Sequence, residues 1–378
     1  MIDWIDAIVP CWHAAPINGG TITRTSQTGK VEWEKGTFRV VRSTWETGVQ
    51  IKTYHADESA HCTHLLISGN PSKFWQGHNL WGTNDLHGLL VATLFQLVAM
   101  EADSEHGQRL GLSPSIEDVQ AWISGAYRVT RADITESFHL ESQEQVLHWI
   151  RAAESSAYLK NRGKGTLKGN STLEFGKGSR RSRFKIYAKG PEIIAHAESQ
   201  PALANLPHVQ AWAAKTLRCE LEMRSLGLKH IALSTGENWI AAQYEDVLWN
   251  PVQLVHERLG NMTMMTTTEL SDDVLSSLKP ACRMAYLAWN GGADLRANWS
   301  KSSFYRTRAT LLEHGVDIAV VQDKDVSRRA IAQILTARPA PVPDWAEGTP
   351  LLFEPPARPR MSHDLLIQLQ TLMARRAA

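Results

Sequence analysis

A single tyrosine, Tyr187, lies between cationic residues in a segment that alternates polar and apolar side chains. If this segment forms a β-strand, then Arg183, Lys185, Tyr187 and Lys189 share one face of it. A hydroxyl group held between cations could both bind and attack a phosphate. Because a phenol ionises at about pH 10, Lys185 and Lys189 would have to favour its phenolate form. The pattern predicts Tyr187 as a nucleophile, with an amphipathic strand of no catalytic role as the alternative.

The positive charge of the chain is concentrated around this tyrosine. Residues 160–189 contain ten lysines and arginines and one acid, whereas the whole chain of 378 residues has a net charge of only +1. A block of this kind favours binding to a polyanion, most often a nucleic acid. We predict DNA contacts for Lys177, Arg180, Arg181 and Arg183. A solvated loop is the alternative.

Carboxylates alternate in the same way along two other predicted strands. Glu220 and Glu222 share a face of one strand, and Asp133 shares a face of the other with Arg131. Carboxylates that converge beside a basic surface would bind a hard divalent cation, Mg²⁺ or Mn²⁺, through oxygen ligands. Such an ion withdraws charge from a phosphodiester and orients it for in-line attack. The alternatives are a solvated sheet face for the two glutamates and a structural ion pair for Asp133.

His78 is the histidine whose surroundings best suit chemistry. It follows Gly77 in a predicted loop and is flanked by Trp75 and Trp81, which could stack on unpaired bases. We include His78 among the candidate metal ligands. A structural role for the histidine and core burial for the tryptophans are the alternatives.

The elements that must position these residues follow from periodicity and turn residues. Four regions predict strands: 1–70, 127–135, 183–189 and 217–224. Asp85 is placed to cap a helix, and Ser142 with Gln145 forms the capping pattern of another. Strands and helices alternate without a strict βαβ rhythm, which indicates an α+β fold with a largely antiparallel sheet. Beyond about residue 245 the pattern becomes more helical.

Composition excludes several classes of protein. The hydrophobic content of 43% and charged content of 21% are ordinary for a globular chain. The four cysteines are scattered without a C-x-x-C pair, so we expect free thiols in a reducing compartment. The first residues are acidic where a signal peptide needs basic ones, and the longest apolar run, Leu89–Met100, is too short to span a bilayer. We therefore expect neither secretion nor a membrane partner.

The segment Asn70–Leu86, NPSKFWQGHNLWGTNDL, closely resembles the S-P-A-K-x-x-Q-G-H-N-x-F-G-T-x-D-L signature of the filamentous-phage replication initiators, the gene II protein family. Other segments resemble that family in the same order: VTRADITESF, RFKIYAKGPEI, LRCELEMRSLGLK, SKSSFYRTRATLLEHGVD and VPDW. The segment FGKGSRRSRFKIYAK also resembles a motif of rolling-circle plasmid initiators. The Q-G-H-N block is specific, and the other blocks gain weight from their order.

This resemblance implies a replication initiator that nicks one strand of duplex phage DNA at its origin. Tyr187 would take the 5′-phosphate and leave a 3′-OH primer, and the enzyme would later rejoin the displaced single strand. The resemblance also matches Asp133 and Glu220 to acidic positions of the phage family. It matches Glu222 to a glutamate of the plasmid group and His78 to the histidine of Q-G-H-N.

Domains and partners follow from the same resemblance. Residues 1–245 would form an antiparallel-sheet nicking and joining domain of the rolling-circle initiator type. Residues 246–378 would form a more helical C-terminal region with a proline-rich tail. Origin DNA is the implied partner, with a host helicase and DNA polymerase, in the cytoplasm of the bacterial host.

Two other functions stay open. One is a hydrolytic metal-dependent nuclease that uses Asp133, Glu220 and Glu222. The other is a non-enzymatic regulator that binds the origin through the basic segment alone. The chain has no G-x-x-x-x-G-K-[ST] loop, which agrees with tyrosine transesterification because that reaction needs no ATP.

Overall fold

Most of the segments in which polar and apolar residues alternate form β-strands. A computed structural model describes residues 1–56, 62–103, 109–197, 203, 206–246, 248–264, 270–291, 293, 295, 299–314, 316–319 and 339–377. In chain order its strands are β1 (Ile2–His13), β2 (Thr21–Thr25), β3 (Val31–Gly36), β4 (Arg39–Arg42), β5 (Gly48–Ala56), β6 (Cys62–Gly69), β7 (Arg128–His139), β8 (Ala157–Leu159), β9 (Gly163–Lys164), β10 (Thr166–Lys168), β11 (Thr172–Phe175), β12 (Ser182–Ala188), β13 (Thr216–Arg224) and β14 (Met262–Met264).

One large antiparallel sheet contains nine of these strands, in the order β10–β11–β12–β13–β7–β1–β6–β5–β4. Every pairing in it is antiparallel. Strands β14, β8 and β9 form a small second sheet, and β2 pairs with β3 in an exposed hairpin. The predicted α+β fold with a largely antiparallel sheet is confirmed.

Helices connect and cover these strands. They are α1 (Pro71–Gln76), α2 (Leu86–Ala102), α3 (Ile116–Ser124), α4 (Gln143–Ser156), α5 (Lys189–Ala195), α6 (Pro207–Ala214), α7 (Ser225–His230), α8 (Gly236–Ile240), α9 (Gln253–Gly260), α10 (Asp272–Ser277), α11 (Pro280–Asn290), α12 (Lys301–Glu313) and α13 (His363–Ala377). The predicted caps are present: the Asp85 side chain accepts a hydrogen bond from the Gly88 N–H, and Ser142 accepts one from the Gln145 N–H.

The sheet has one apolar face and one polar face, as alternation requires. Residues such as Ala7, Val129 and Leu221 belong to a continuous core that also includes Trp149 of α4 and Leu89 of α2. The polar side chains between them therefore lie on the opposite face. That face carries the candidate site.

The C-terminal part is more helical, as predicted, but it does not form a single separate unit. Helices α10, α11 and α12 surround a second hydrophobic core that includes Trp289 and Leu311. In contrast, α9 and α13 contribute Val255 and Leu369 to the main core, and α13 packs on α2. The packing of the sheet domain thus continues beyond residue 245, and the division proposed there stays a prediction.

The four cysteines are buried free thiols. Across the part of the chain that the structure describes, each helix is too short or too polar to cross a membrane.

Replacing Leu369 by alanine should lower the free energy of unfolding by about 2–5 kcal/mol, because its side chain is fully buried where α13 meets the core. Ile367 in the same helix is 47% exposed, so Ile367→Ala is the matched control and should change stability by about 0.5 kcal/mol or less. Urea unfolding followed by circular dichroism measures both values. Equal, small effects would show that α13 is not docked on the sheet domain.

Candidate active site

Three neighbouring strands, β12, β13 and β7, bring the predicted site residues onto one face of the sheet. Lys185 lies opposite Glu220, and Glu222 lies between Arg183 on one side and Asp133 on the other. Residues far apart in the sequence are therefore cross-strand neighbours. The arrangement produces a compact patch of alternating charge.

Each carboxylate in this patch has a cationic partner. Both oxygens of Asp133 accept hydrogen bonds from Arg131, at 2.6 and 2.8 Å. Glu220 accepts one from Lys185 at 2.5 Å, and Glu222 accepts one at 2.6 Å from the arginine two residues further on. All three carboxylates are buried. The alternative of a solvated sheet face is therefore wrong for these glutamates, and Asp133 does form the ion pair with Arg131.

Asp133 on β7 and its neighbour Glu222 on β13 differ in the direction in which their pKa values are shifted. Burial raises the pKa of Asp133; the hydrogen bonds from Arg131 oppose this shift, and the charge of Glu220 adds to it. Burial also disfavours ionisation of Glu222, but the hydrogen bond from Arg224 and nearby cations lower its pKa. Glu222 is therefore the firmly ionised member of the pair.

Tyr187 lines a cavity of about 430 Å³ beside this patch. Its side chain is 8% exposed, and it lies opposite Arg218 of β13. Burial raises the pKa of the phenol well above its ordinary value; the charge of Glu220 adds to the shift, and Arg218 opposes it only partly. The cations around Tyr187 therefore do not produce a phenolate by themselves.

The Asn70–Leu86 block forms one wall of the cavity. The Asn70 side chain caps α1 by accepting a hydrogen bond from the Lys73 N–H. Gly77 ends this helix with a φ of 79°, and a Cβ there would lie 2.7 Å from the Trp45 ring. This turn requires glycine, and it brings Asn79 to the cavity together with Lys73.

Asp3 is a site residue that the sequence patterns did not single out. Its Oδ1 accepts hydrogen bonds from the side-chain amides of Asn70 and Asn79, at 2.7 and 2.8 Å. Burial disfavours its charge, but Arg218 and a buried lysine together lower the pKa of Asp3. An ionised carboxylate thus lines the cavity together with Tyr187 and Glu220.

Lys189 does not continue the strand face of Tyr187, contrary to the predicted alternation. Strand β12 ends at Ala188, and Lys189 begins α5. Its fully buried ammonium donates to Asn79 Oδ1 at 2.8 Å and pairs with Glu192 at 2.6 Å. Burial lowers the pKa of Lys189 to about 8, and Glu192 opposes the shift. Its contacts orient the cavity wall, and its Nζ lies 5.9 Å from the centre of the Tyr187 ring.

His78 is buried within the loop instead of facing the carboxylates. Its Nδ1 accepts a hydrogen bond from the Leu80 N–H at 3.2 Å, and its Nε2 donates to the Leu351 carbonyl at 2.8 Å. Burial lowers the pKa of His78 to about 3. Both ring nitrogens are engaged within the protein, so this geometry gives His78 a structural role and does not support it as a metal ligand.

The four predicted DNA contacts divide into two groups. Lys177, Arg180 and Arg181 are exposed in the turn between β11 and β12. Arg183 instead pairs with Glu174 across the two strands and approaches Glu222 at 3.7 Å. The turn thus presents cations to solvent, whereas Arg183 belongs to the balanced patch.

The donor set fits a magnesium ion bound by few protein ligands. No group of three or more His, Cys, Asp or Glu side chains converges at metal-binding spacing in the described ranges. Mg²⁺, however, is typically bound through one or two carboxylates, waters and substrate phosphates. Glu220 and Asp3 are the buried carboxylates that line the cavity, and they would be the protein ligands of such an ion. Asp133 and Glu222 are held by arginines instead.

Two protein-family models match the chain. One describes the N-terminal part of the replication-associated protein of phage gene II and matches residues 1–242, and the other describes the C-terminal part of that protein and matches residues 271–350. The gene II replication-associated protein of Enterobacteria phage I2-2 is 32% identical over 347 residues, which cover 91% of this chain and 95% of that protein.

Among solved structures, the chain is similar to the Rolling Circle Replication Initiator Protein from Geobacillus stearothermophilus. The two are 11% identical, with a TM-score of 0.33, over 72% of this chain and 89% of that one. A likeness at this level carries no argument about mechanism.

Replacing His78 by glutamine should make the protein less sensitive to acid. The pKa of His78 is about 3 in the fold, against an ordinary value of 6.5, so below pH 6.5 only the unfolded chain binds the extra proton. Stability present above pH 6.5 is therefore lost as the pH falls, by up to about 1.4 kcal/mol per pH unit. The free energy of unfolding of wild type should approach that of the variant between roughly pH 6 and pH 4.

Urea titrations at several pH values measure this difference. His148→Gln is the control for the substitution itself, because His148 is exposed on α4. Parallel stability curves for wild type and His78→Gln would contradict a buried neutral histidine.

Proposed function

This chain belongs to the family of phage gene II replication-associated proteins, as the sequence blocks predicted, and from that membership we propose that it nicks one strand of duplex phage DNA at the replication origin. The proposal includes rejoining of the displaced strand after a round of rolling-circle synthesis. The observation that supports it is the position of Tyr187, which shares a cavity with two buried carboxylates, Asp3 and Glu220, and with Lys73.

In the proposed reaction the Tyr187 Oη attacks a backbone phosphorus. The new Oη–P bond forms as the P–O3′ bond breaks, and the phenol proton is lost while the 3′-oxygen leaves as a 3′-OH. The product is a 5′-phosphotyrosine, which conserves the phosphodiester energy. Attack by a 3′-OH on that bond reverses the step and joins the strand without ATP.

The cations of the site would bind the scissile phosphate. Lys73 lines the cavity and is partly exposed, and Lys185 borders it through its bond to Glu220. Fixed positive groups stabilise the charge that develops on the phosphoryl oxygens. Lys189 is a positioning residue in this proposal, because its ammonium holds Asn79.

We assign the binding of Mg²⁺ or Mn²⁺ to Glu220, with Asp3 as the second carboxylate. When bound, the ion would polarise the phosphate and lower the phenol pKa that burial raises. Asp133 and Glu222, also predicted as ligands, more directly hold Arg131 and Arg224 in place. His78 is not part of the proposed metal site.

The exposed cations Lys177, Arg180 and Arg181 would contact the DNA backbone. Contacts of this kind set affinity and position without reading sequence. In this proposal a host helicase and DNA polymerase use the 3′-OH in the bacterial cytoplasm.

Tyr187→Phe should abolish the covalent protein–DNA adduct, because it removes the hydroxyl and little else. The assay incubates protein with Mg²⁺ and supercoiled DNA bearing the phage origin, denatures the mixture with SDS, and separates nicked circles with and without attached protein. Tyr158→Phe is the matched control, since the Tyr158 side chain on β8 is 42% exposed and does not line this cavity, and this variant should form the adduct at the wild-type rate.

The same assay separates the alternatives. Nicked circles without attached protein would identify a hydrolytic nuclease, and binding without nicks would identify a regulator. An adduct that survives in Tyr187→Phe would show that another residue is the nucleophile.

Glu220→Gln should raise the Mg²⁺ concentration needed for half-maximal nicking by roughly 10- to 100-fold, the scale on which loss of a supporting group weakens metal sites. The amide keeps the size of the side chain and an oxygen that can accept from Lys185. Glu34→Gln, at an exposed position on β3 outside this cavity, is the control. An unchanged Mg²⁺ requirement in Glu220→Gln would remove Glu220 from the proposed metal site.

A further inference from the structure

A second cavity, of about 790 Å³, opens on the same face of the sheet. Strand pairing fixes this location. Ala7 pairs with Val129 inside the apolar core, so their neighbours Ile8 and Arg128, which also pair and line the second cavity, lie on the polar face. The volume lies within the range of about 300–1,000 Å³ that holds small ligands.

A cation and an aromatic ring dominate the mouth of this cavity. Arg128 Nη2 donates to the Tyr54 hydroxyl at 2.9 Å, and its guanidinium carbon lies 5.7 Å from the centre of the Tyr54 ring. Tyr54 is 48% exposed, and Arg128 is exposed as well. Within the described part of the chain, no carboxylate forms an ion pair with Arg128. A tyrosine ring beside such a guanidinium provides a stacking surface next to an anion contact.

A similar pair lies between this cavity and Tyr187. The guanidinium of Arg131 lies 5.0 Å from the centre of the Trp4 ring, and Trp4 lines the cavity of Tyr187. Arg131 pairs with Asp6 and Arg128 pairs with Ile8, two positions of β1 that share a face, because β7 has an extra residue at this point. The two arginines are therefore about 7 Å apart along the same face. Cation–aromatic pairs therefore form a row along the polar face from one cavity to the other.

Polar groups line the interior of the second cavity. Glu237, Ser234 and Thr235 contribute a carboxylate and two hydroxyls. Such groups contact base edges: a carboxylate accepts from the cytosine amino group, and hydroxyls bond to several bases. A ring, a guanidinium and base-edge contacts together match the chemistry of a nucleotide.

We propose that this second cavity binds an unpaired nucleotide of the DNA strand that reaches Tyr187. The base stacks on Tyr54, Arg128 contacts a phosphate, and Glu237 with its neighbouring hydroxyls contacts the base edge. This inference rests on the proposed function for the identity of the polymer. It assigns the second cavity a positioning role, separate from the chemistry at Tyr187.

Tyr54→Leu should weaken binding of fluorescein-labelled single-stranded oligonucleotides by roughly 5- to 150-fold, the effect of losing one stacked base. The probes are homopolymers of dT, dC and dA, each of about 20 nucleotides, which exceeds typical binding-site sizes. Tyr54→Phe keeps the ring and should bind within about threefold of wild type. Tyr305→Leu, which removes a 52% exposed tyrosine from α12, is the matched control.

A second measurement locates the base directly. Photocrosslinking of a 5-iodouracil-substituted single strand should label the peptide that contains Tyr54.

Wild-type affinity in Tyr54→Leu, or equal weakening in Tyr305→Leu, would overturn the proposal, as would equal losses of affinity for single-stranded and duplex DNA. A Tyr54 crosslink without any Tyr187 adduct would leave the nucleotide site standing and reject the nicking function. A Tyr187 adduct together with unchanged binding in Tyr54→Leu would support the nicking function and reject the nucleotide site.

Discussion

The buried guanidinium of Arg218 is the constraint on which the site depends. Arg218 is fully buried on β13, where it donates to the carbonyls of Asn79 and Leu80 and to the Ser137 hydroxyl. A buried cation needs such partners, because removing them leaves an uncompensated charge that costs about 3–5 kcal/mol. These bonds hold the loop of the Q-G-H-N block against the sheet. The same cation lowers the pKa of Asp3 and lies opposite Tyr187.

This constraint also explains why Tyr187 is neutral in the protein alone. Arg218, Lys189 and Lys185 are already engaged with backbone carbonyls, Asn79 and Glu220. Burial then dominates and raises the phenol pKa. In a site of low effective dielectric, one added positive charge has a larger effect than it would in water. In the proposed reaction, Tyr187 would therefore ionise only when DNA and a divalent cation occupy the cavity together.

Sequence alone predicts the faces of the strands but not which strands are neighbours. Alternation correctly placed Glu220 and Glu222 on one face of β13, because the period of a strand is two. The sequence also offered the Arg131–Asp133 ion pair, which lies within one strand. It could not show that the polar face is buried, since that depends on pairing between distant strands. Asp3 was missed for the same reason: its role arises where β1 meets β7 with a shift in register. Lys189 was misplaced because the strand ends one residue earlier, at a boundary that alternation does not mark.

The block that is easiest to recognise in the sequence mainly builds the scaffold of the cavity. Gln76 accepts from the Phe353 N–H at 2.9 Å, and His78 and Trp81 both donate to the Leu351 carbonyl. These bonds join the loop to a C-terminal segment that is remote in sequence, and this segment therefore supports the wall of the cavity. Gln76, His78 and Asn79 all form buried hydrogen bonds, and Gly77 makes the turn between them. The proposed role of Tyr187 requires only a hydroxyl at one position of a strand, and any alternating strand can supply it. The sequence around Tyr187 is therefore harder to recognise than the Q-G-H-N block.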